Sequence, residues 1–427
     1  MVGCVLAECA PSKRGLFAVT NSVKLPVVPS ADAPFPYGGL FVLATAVFMS
    51  VTAEMMPTGL LPEMSADLGV SEGQIGLLVT LFAVAVVVTA VPLTALTRRF
   101  SRHSLIVAVL ITVAVSSVLS ALAPNYELLA VARVLGGTAH GLFWAIVGVY
   151  SAHLVPRHHI ARAVAITTGG GTLAFVLGVP IATVVGHAFG WRVPFAAIGV
   201  LALCAAVLIA KLLPRVDAPA PDARSAASRN TKQRDASVPG VALLCAVVAI
   251  LMVGHYAMYT YVTPYLIGRM GVPGANVGGL LFVYGVAGAV GLLLAGFVFS
   301  ARPTFGVGIG LVVTGASVVV LSVWAANPFL AIPAFAVWGA AFGVIPALMQ
   351  ARLLHVASPA IRDTANAYYS TSFNIGIAGG ALLGSVLLGA FGLESLPLGY
   401  LVLLVVAGAL LWVSVIVAHR RHAATLA

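Results

Sequence analysis

Four ionisable side chains stand inside long apolar stretches of this 427-residue chain, and their types suit them to proton chemistry. They are Glu54, Arg133, His140 and His255. A charge within the hydrocarbon of a membrane is costly, so such a group usually faces a cavity or a partner. A carboxyl group whose surroundings alternate between a dry and a charged environment can load and release a proton. These four residues are therefore the candidates for proton coupling.

Glu54 and Arg133 are predicted to lie at the same depth. Glu54 stands about sixteen residues into the first apolar stretch, or roughly 24 Å along a helix. Arg133 stands about six residues, or roughly 9 Å, into the fourth stretch, which runs in the opposite direction. Two interpretations remain open. Both charges line a water-filled cavity, or they form a structural ion pair.

Five residues of the fourth apolar stretch fall on one face of a helix, because they recur at helical spacing. They are Arg133, Gly137, His140, Gly141 and Trp144. Such a face either packs on a neighbouring helix through its glycines or lines a water-filled path. His140 is then either part of the site or an interior group with an ordinary hydrogen bond.

His255 leads a polar aromatic group in the seventh apolar stretch, with Tyr256, Tyr259 and Tyr261 close behind it. A histidine titrates near physiological pH when it is unperturbed. The alternative places the tyrosines in the belt at the membrane surface, which suits Tyr261 best. His255 and Tyr256 are therefore the preferred candidates for the membrane interior.

Asn374 is the polar candidate of the eleventh stretch. Glycines surround it at positions 376, 379, 380 and 384. The glycines predict close helix packing, and Asn374 could then bond either across that contact or to a ligand. Trp144, Tyr256, Tyr259 and Asn374 together are the candidates for lining a substrate cavity.

Twelve apolar stretches must position these residues, and each has the roughly 20 residues needed to cross about 30 Å of hydrocarbon. A composition of 61% hydrophobic and 8% charged residues excludes a water-soluble domain. The sequence predicts an all-α membrane protein with spans at 38–61, 75–97, 104–123, 127–150, 161–186, 192–213, 239–267, 276–300, 304–325, 328–351, 362–389 and 397–417.

The basic residues predict the orientation of the spans. They concentrate before span 1, after every even-numbered span from 2 to 10, and at the end of the chain, whereas the alternate loops are mainly acidic. This bias places both termini in the cytoplasm. The net charge of +10 is then an orientation signal directed at anionic lipid, and no nucleic-acid partner is expected.

The chain divides into two similar halves. A shift of 202 residues places Pro62 on Pro264 and Gly69 on Gly271, with further matches at two glycines of the fourth and tenth spans. We predict a cytoplasmic tail (1–36), a six-helix half (37–213), a solvated linker (214–238), a second six-helix half (239–417) and a terminal tail (418–427). Six spans per half make the two repeats parallel.

Three motifs together resemble the twelve-span drug:proton antiporter family of the major facilitator superfamily, and within it the bacterial sugar-efflux and chloramphenicol-efflux permeases. They are EMMPTGLLPEMSADLGVS from Glu54, RVLGGTAHGLFW from Arg133, and GGGTLAFVLGVP at 169–180. The resemblance implies that Glu54 and Arg133 line a central cavity. It also implies that Gly169, Gly170, Gly178 and Pro180 belong to the signature that governs exchange direction.

The sequence departs from the family pattern at three places. The loop PLTALTRRFSRH at 92–103 lacks the usual Gly and Asp, Ser300 stands where an acid is usual, and Thr183 replaces a second glycine of span 5. These departures put an aspartate-based cytoplasmic latch and the direction of exchange in doubt.

The predicted function is a proton-driven exporter of a sugar, glycoside or hydrophobic drug in the bacterial cytoplasmic membrane, acting as a monomer. A proton symport importer or facilitator remains open, and a membrane receptor or sensor is more remote. No HExxH, GxSxG or Walker-type motif occurs, and the four cysteines show no metal-ligand spacing, so neither an enzyme nor a metal or cofactor is expected. The proton gradient supplies the energy.

Overall fold

The computed structural model describes residues 35–214 and 235–426, and within them the chain is helical without strands. Twelve helices are long and apolar enough to span a membrane. In chain order they are spans 1 to 12: Tyr37–Gly59, Glu72–Leu96, Arg102–Leu122, Tyr126–His153, Ile160–Phe189, Arg192–Leu212, Val238–Tyr259, Gly274–Phe297, Pro303–Trp324, Pro328–Val356, Arg362–Phe391 and Ser395–Ile416. The predicted fold class is confirmed.

Most of the predicted tail at 1–36 and most of the linker at 214–238 lie outside the described residues. The division into domains stays a prediction. One predicted boundary is wrong, because span 7 ends at Tyr259 and a separate short helix, Val262–Gly268, follows it. The predicted stretch 239–267 joined these two helices, since both are apolar and no charge separates them.

Polar side chains cap several spans. Ser71 and Gln74 form a capping box at the start of span 2, in which each side chain accepts a hydrogen bond from the other's backbone N–H. Asn125 caps span 4 by accepting from the backbone N–H of Leu128. These caps satisfy backbone donors that a helix leaves free at its start, and so fix where the spans begin.

The structure shows the repeat in its turns. The four described glycines with positive φ are Gly69 (64°), Gly190 (91°), Gly271 (66°) and Gly392 (76°). They form two pairs separated by 202 residues. A positive φ strains residues that have a Cβ atom, so the two halves place glycine at equivalent turns.

Helix packing also repeats. A Cβ atom on Gly137 would lie 2.3 Å from the carbonyl oxygen of Phe82, which shows how closely span 4 packs on span 2. Its counterpart Gly339 packs in the same way on the carbonyl oxygen of Tyr284, at 2.6 Å, which brings span 10 onto span 8. Both pairs are related by the 202-residue shift.

The two halves meet along span 2 against span 11 and span 5 against span 8. We call the face where span 1 begins and span 12 ends the terminal face, and the other the opposite face. Hydrogen bonds join the halves toward the opposite face: Thr80 to the Ala378 carbonyl at 3.1 Å, Thr263 to the Thr58 carbonyl at 2.8 Å, and Ser385 to the Gly73 carbonyl at 3.1 Å.

Tight packing between the halves ends near the middle of the membrane. In span 8, a Cβ atom on Gly278 would lie 2.5 Å from Val184, and one on Gly285 would lie 2.3 Å from the carbonyl oxygen of Phe175. Nearer the terminal face, a Cβ atom on Gly296 or Gly169 would meet nothing within 4 Å. The halves are therefore closed together at the opposite face and separate toward the terminal face.

Candidate functional site

The buried charges of the first half gather where spans 1, 2 and 4 meet. Glu54, Arg133 and His140 are 5%, 2% and 3% exposed. The glycines of the span 4 stripe pack on span 2, where a Cβ atom on Gly141 would lie 3.2 Å from the Val86 carbonyl oxygen. The polar members of the same stripe reach span 1 instead. Both functions proposed for the stripe, packing and a polar site, are thus present together.

Arg133 binds the backbone of span 1. Its Nη1 donates to the carbonyl of Ala53 at 2.6 Å and its Nη2 to the carbonyl of Glu54 at 2.8 Å. The guanidinium carbon also lies 4.3 Å from the centre of the Phe82 ring. A direct ion pair between the Arg133 and Glu54 side chains, one of the two interpretations from sequence, is wrong.

Pro57 explains why the Ala53 carbonyl is available. A carbonyl in a helix normally accepts from the N–H four residues later, and proline has none. Pro57 lies within span 1, four residues after Ala53. The Ala53 carbonyl therefore lacks its usual partner, and Arg133 supplies one. Pro57 was the sequence signal that could have predicted this contact.

His140 is the side-chain partner of Glu54. Its Nε2 lies 3.4 Å from Glu54 Oε2, and its Nδ1 lies 2.9 Å from Ser50 Oγ. The indole N–H of Trp144 donates to the same Nε2 at 2.7 Å. Because an indole nitrogen can only donate, this bond requires Nε2 to carry no hydrogen, which places the ring hydrogen on Nδ1. Ser50 then accepts that hydrogen.

This arrangement can hold a proton in two places. When Nε2 is unprotonated, it directs a lone pair toward the nearby carboxyl group of Glu54. An ionised carboxylate would set its own lone pairs against this one, so Glu54 must then carry a proton itself. Protonated Nε2 could instead donate to the Glu54 carboxylate, at the expense of the bond to Trp144. The cluster of Glu54, His140 and Trp144 therefore has two exclusive hydrogen-bonding states.

His255 lies in an aromatic cluster of the second half, which we define as His255, Tyr256, Tyr259, Tyr284, Phe335, Trp338, Phe342 and Tyr400. The His255 ring stacks on Phe342, with centres 3.5 Å apart and planes 7° apart. Tyr259 stacks on it at 5.4 Å. His255 Nδ1 lies 3.4 Å from the Tyr400 hydroxyl, and its Nε2 has no partner among the described residues. His255, Tyr256 and Tyr259 are at most 2% exposed.

Tyr261 and Asn374 are placed differently from the expectations. Tyr261 is fully buried and donates to the Ala381 carbonyl at 2.8 Å, so it lies between helices and outside any surface belt. Asn374 donates to the Ser370 carbonyl of its own helix at 2.9 Å, so of its two alternatives the bond across the helix contact is not the one observed, and a bond to a ligand stays a prediction. The nearby Gly376 and Gly380 do pack closely, against Met252 and Tyr256 of span 7.

The signature residues of span 5 fit it between span 1 and span 8. A Cβ atom on Gly170 would lie 2.0 Å from the Ala44 carbonyl oxygen, and one on Gly178 would lie 2.0 Å from Thr52 Oγ1. A π-helical turn runs from Ala174 to Gly178, in which Val179 N–H bonds five residues back. This wider turn precedes Pro180, whose ring would crowd a regular helix.

Comparison with known proteins decides the family. The family model of the Major Facilitator Superfamily matches residues 43–358. This chain belongs to the major facilitator superfamily. It is therefore a multi-pass membrane transporter, and its resemblance to the efflux permeases is confirmed by the relatives described next.

This chain is 30% identical over 377 residues to a probable sugar efflux transporter of Mannheimia succiniciproducens, and the match covers 88% of this chain and 93% of that protein. It is 34% identical over 357 residues to a chloramphenicol efflux pump of Mycobacterium tuberculosis, covering 82% of this chain and 85% of the pump.

Solved structures of other proteins share the fold of this chain. A bacterial homolog of the human lysosomal transporter Spinster, in an inward-facing and unoccupied conformation, has a TM-score of 0.70 at 16% identity, covering 89% of this chain and 97% of the other. The nucleoside transporter NupG has a TM-score of 0.69 at 14% identity, with 88% and 98% coverage. The roles of individual site residues stay predictions.

The sequence analysis missed most of the aromatic cluster of this transporter. Tyr284, Phe335 and Phe342 stand 202 residues after Phe82, Arg133 and His140. The same 202-residue shift, which also places Tyr256 on Glu54, could therefore have found them. Equivalent positions hold a charged cluster in the first half and an aromatic cluster in the second.

Proposed function

We propose that this transporter exports small organic solutes in exchange for protons, by alternating access across a bacterial cytoplasmic membrane. The observation that carries the proposal is the buried contact between Glu54 and His140, at 3.4 Å and with both side chains almost excluded from solvent. A proton is the smallest ion that can enter such a site and change its charge. Because the cluster has two exclusive hydrogen-bonding states, proton binding can favour one packing of the helices over another.

The proposed orientation rests on the distribution of the basic residues, which favours a cytoplasmic location for the terminal face and both chain ends. The halves are joined at the opposite face by Thr80, Thr263 and Ser385. In this orientation the structure is closed to the outside and open to the cytoplasm. An exporter collects its substrate in that state.

The substrate class is proposed from the relatives and from the second half. The two relatives are a probable sugar efflux transporter and a chloramphenicol efflux pump. Aromatic faces bind both the apolar faces of sugar rings and the rings of drugs. The aromatic cluster is largely buried in this structure, so we propose that it opens during the transport cycle and then offers such faces, beside His255, to an uncharged solute with a ring and hydroxyl groups.

The test uses everted vesicles, whose interior is acidified by respiration, and a fluorescent probe of the proton gradient. Addition of sugars or amphenicol drugs should cause proton release from vesicles that contain the wild type. Glu54→Gln should abolish this release because an amide cannot carry the proton. Exchange of labelled for unlabelled substrate, which needs no net proton movement, should persist.

Glu127→Gln is the matched control, since Glu127 is an exposed carboxylate at the start of span 4. It should behave as the wild type. Proton-coupled release that survives Glu54→Gln would exclude this carboxyl group as the coupling site. Substrate-driven proton movement in the opposite direction would indicate symport instead of export.

A further inference from the structure

A small polar cavity lies beside Arg133, one of its lining residues. It has a volume of about 10 Å³. Spans 1, 2, 3, 4 and 6 enclose it, and its polar lining consists of Ser50, Ser116, Ser117, Ser120 and Arg133. All five residues are at most 6% exposed. A cavity of roughly 10–15 Å³, measured as the space open to the centre of a water molecule, holds about one water.

Arg133, which lines this cavity, has an unsatisfied donor. Its two terminal nitrogens bind the carbonyls of span 1, but its Nε has no hydrogen-bond partner among the described residues. A buried N–H of a charged group without an acceptor is costly. A protein normally satisfies such a group with a side chain or an ordered water.

The serines offer the remaining partners for a water molecule. Ser116 donates to the Ala132 carbonyl at 2.7 Å and Ser120 to the Ser116 carbonyl at 2.8 Å, so their oxygens keep free lone pairs that can accept. Ser50 accepts from His140, so its own hydrogen needs an acceptor elsewhere. One water could accept from Arg133 Nε and Ser50 and donate to two serines of span 3.

We propose that this cavity binds one water molecule, held by Arg133 Nε–H and the hydroxyls of Ser50, Ser116 and Ser120, and that the water links the proton cluster to span 3 through Ser50. The link matters because Ser50 accepts from His140 Nδ1 in one state of the cluster. It must reorient its hydroxyl when His140 changes its tautomer, and the water provides the partner for that reorientation. The effect on transport rests on the proposed proton coupling, whereas the binding of water does not.

Two substitutions of Ser117 separate filling the cavity from losing a hydroxyl. Ser117→Val places extra methyl groups in the cavity and expels the water, whereas Ser117→Ala leaves room for it. A structure of the wild type that resolves ordered water should show one peak about 2.7–3.2 Å from Arg133 Nε. The peak should remain in Ser117→Ala and disappear in Ser117→Val. A dry cavity in the wild type, or a peak that survives Ser117→Val, overturns the proposal.

Transport tests the link to the proton cluster. Ser117→Val should lower substrate-driven proton release by about tenfold, as expected for one unsatisfied buried donor, while substrate exchange stays within about twofold. Ser317→Val is the matched control, because Ser317 is a buried serine of span 9 that bonds only to its own helix, at the Val313 carbonyl. It and Ser117→Ala should retain both activities.

The outcomes are distinguishable. Equal losses of proton release and exchange in Ser117→Val would show a packing role and overturn the link. A wild type that releases no protons with any substrate would instead refute proton-coupled export, while the density at Arg133 would still decide whether water binds.

Discussion

At His140, a single nitrogen atom faces two groups that cannot bind it in the same protonation state. Nε2 accepts from the Trp144 indole at 2.7 Å and lies 3.4 Å from the Glu54 carboxyl group. A proton on Nε2 would favour Glu54 and release Trp144. The indole is 39% exposed, so its ring connects the buried cluster to the more open side of span 4.

Trp144→Phe should shift the pH dependence of transport. Phenylalanine keeps an aromatic ring but loses the N–H whose bond favours unprotonated Nε2. The proton-loaded state, with Glu54 protonated and Nε2 unprotonated, then loses a stabilising bond, so the pH of half-maximal proton release should move downward, by about one unit for the loss of one partly buried hydrogen bond. The measurement is proton release in everted vesicles between pH 5 and 9. Trp324→Phe, a partly exposed tryptophan at the end of span 9, serves as the control, and an unchanged profile in Trp144→Phe would rule out this role for the indole.

Some of this site was predictable and some was not. The rise per residue of a helix was enough to bring Glu54 and Arg133 to one depth, because opposite spans share the same length scale. Arg133 binds carbonyl oxygens instead of the Glu54 carboxylate because of Pro57 and because of the side-chain rotamers. Periodicity carries no information about rotamers, so the wrong interpretation was equally consistent with the spacing.

Among the helices, the seam between spans 5 and 8 is limited by backbone contact. Gly285 faces the carbonyl oxygen of Phe175, which belongs to the π-helical turn, and a Cβ atom would lie only 2.3 Å away. Such a contact can be relieved only by moving a helix. Seams of this kind suit two rigid halves that rock against each other, because small residues let helix backbones slide closely.

Gly285→Ala should therefore disfavour the state closed at the opposite face. One methyl group forced against backbone costs about 1–3 kcal/mol, so substrate transport should fall strongly and the thermal unfolding temperature in detergent should drop. Gly296→Ala, on the same helix with nothing within 4 Å of the added atom, should be nearly neutral. Equal behaviour of the two variants would contradict the assigned seam.

The short helix Leu61–Leu68 is held by an ionic contact at the opposite face. Asp67 accepts from Arg192 and, at 3.1 Å, from the Trp191 indole. The hydrogen bond from Arg192 lowers the pKa of the Asp67 carboxyl below its ordinary value of 3.8. A lowered folded-state pKa means that the contact stabilises the protein above pH 3.8 and is lost as the pH falls further.

Asp67→Asn should reduce stability by about 0.2–1 kcal/mol at neutral pH, since the contact is half exposed. The difference from the wild type should stay constant between pH 7 and 5 and narrow only below about pH 3.8. Thermal unfolding in detergent across this range measures it. A difference that already narrows at pH 6 would assign the effect to another group.

The predicted beginnings of the spans lie within about three residues of the observed ones, whereas the predicted end of span 7 lies well beyond Tyr259, where two apolar helices adjoin. Ser71 and Asn125 mark sharp beginnings for spans 2 and 4. Nothing polar interrupts the chain between Tyr259 and Val262 strongly enough to show that span 7 stops. A bend within continuous hydrophobic sequence depends on tertiary packing, in which Thr263 bonds to the first half.

For the whole molecule, the repeat distributes two kinds of chemistry between its halves. Charged and hydrogen-bonding residues occupy the first half, and Tyr284, Phe335 and Phe342 occupy the equivalent positions of the second. A duplicated bundle can thereby separate proton binding from substrate contact while both lie on the same pair of moving bodies. A proton or a substrate that changes the packing of one half then also changes the seam that both halves share.

Alternating access requires the seam at the opposite face to open during each cycle, and a disulfide across it should stop transport. A Cβ atom on Gly73 would lie 2.9 Å from Ser385 Oγ, which is close enough for a disulfide between cysteines at these positions. Gly73→Cys with Ser385→Cys, in a background without the four native cysteines, should be active when reduced and lose nearly all transport when oxidised. Each single cysteine variant is the control and should be insensitive to oxidant. A covalent bond between spans 2 and 11 leaves the substrate no route through the seam. Full transport by the oxidised double variant would therefore mean that the halves need not separate there.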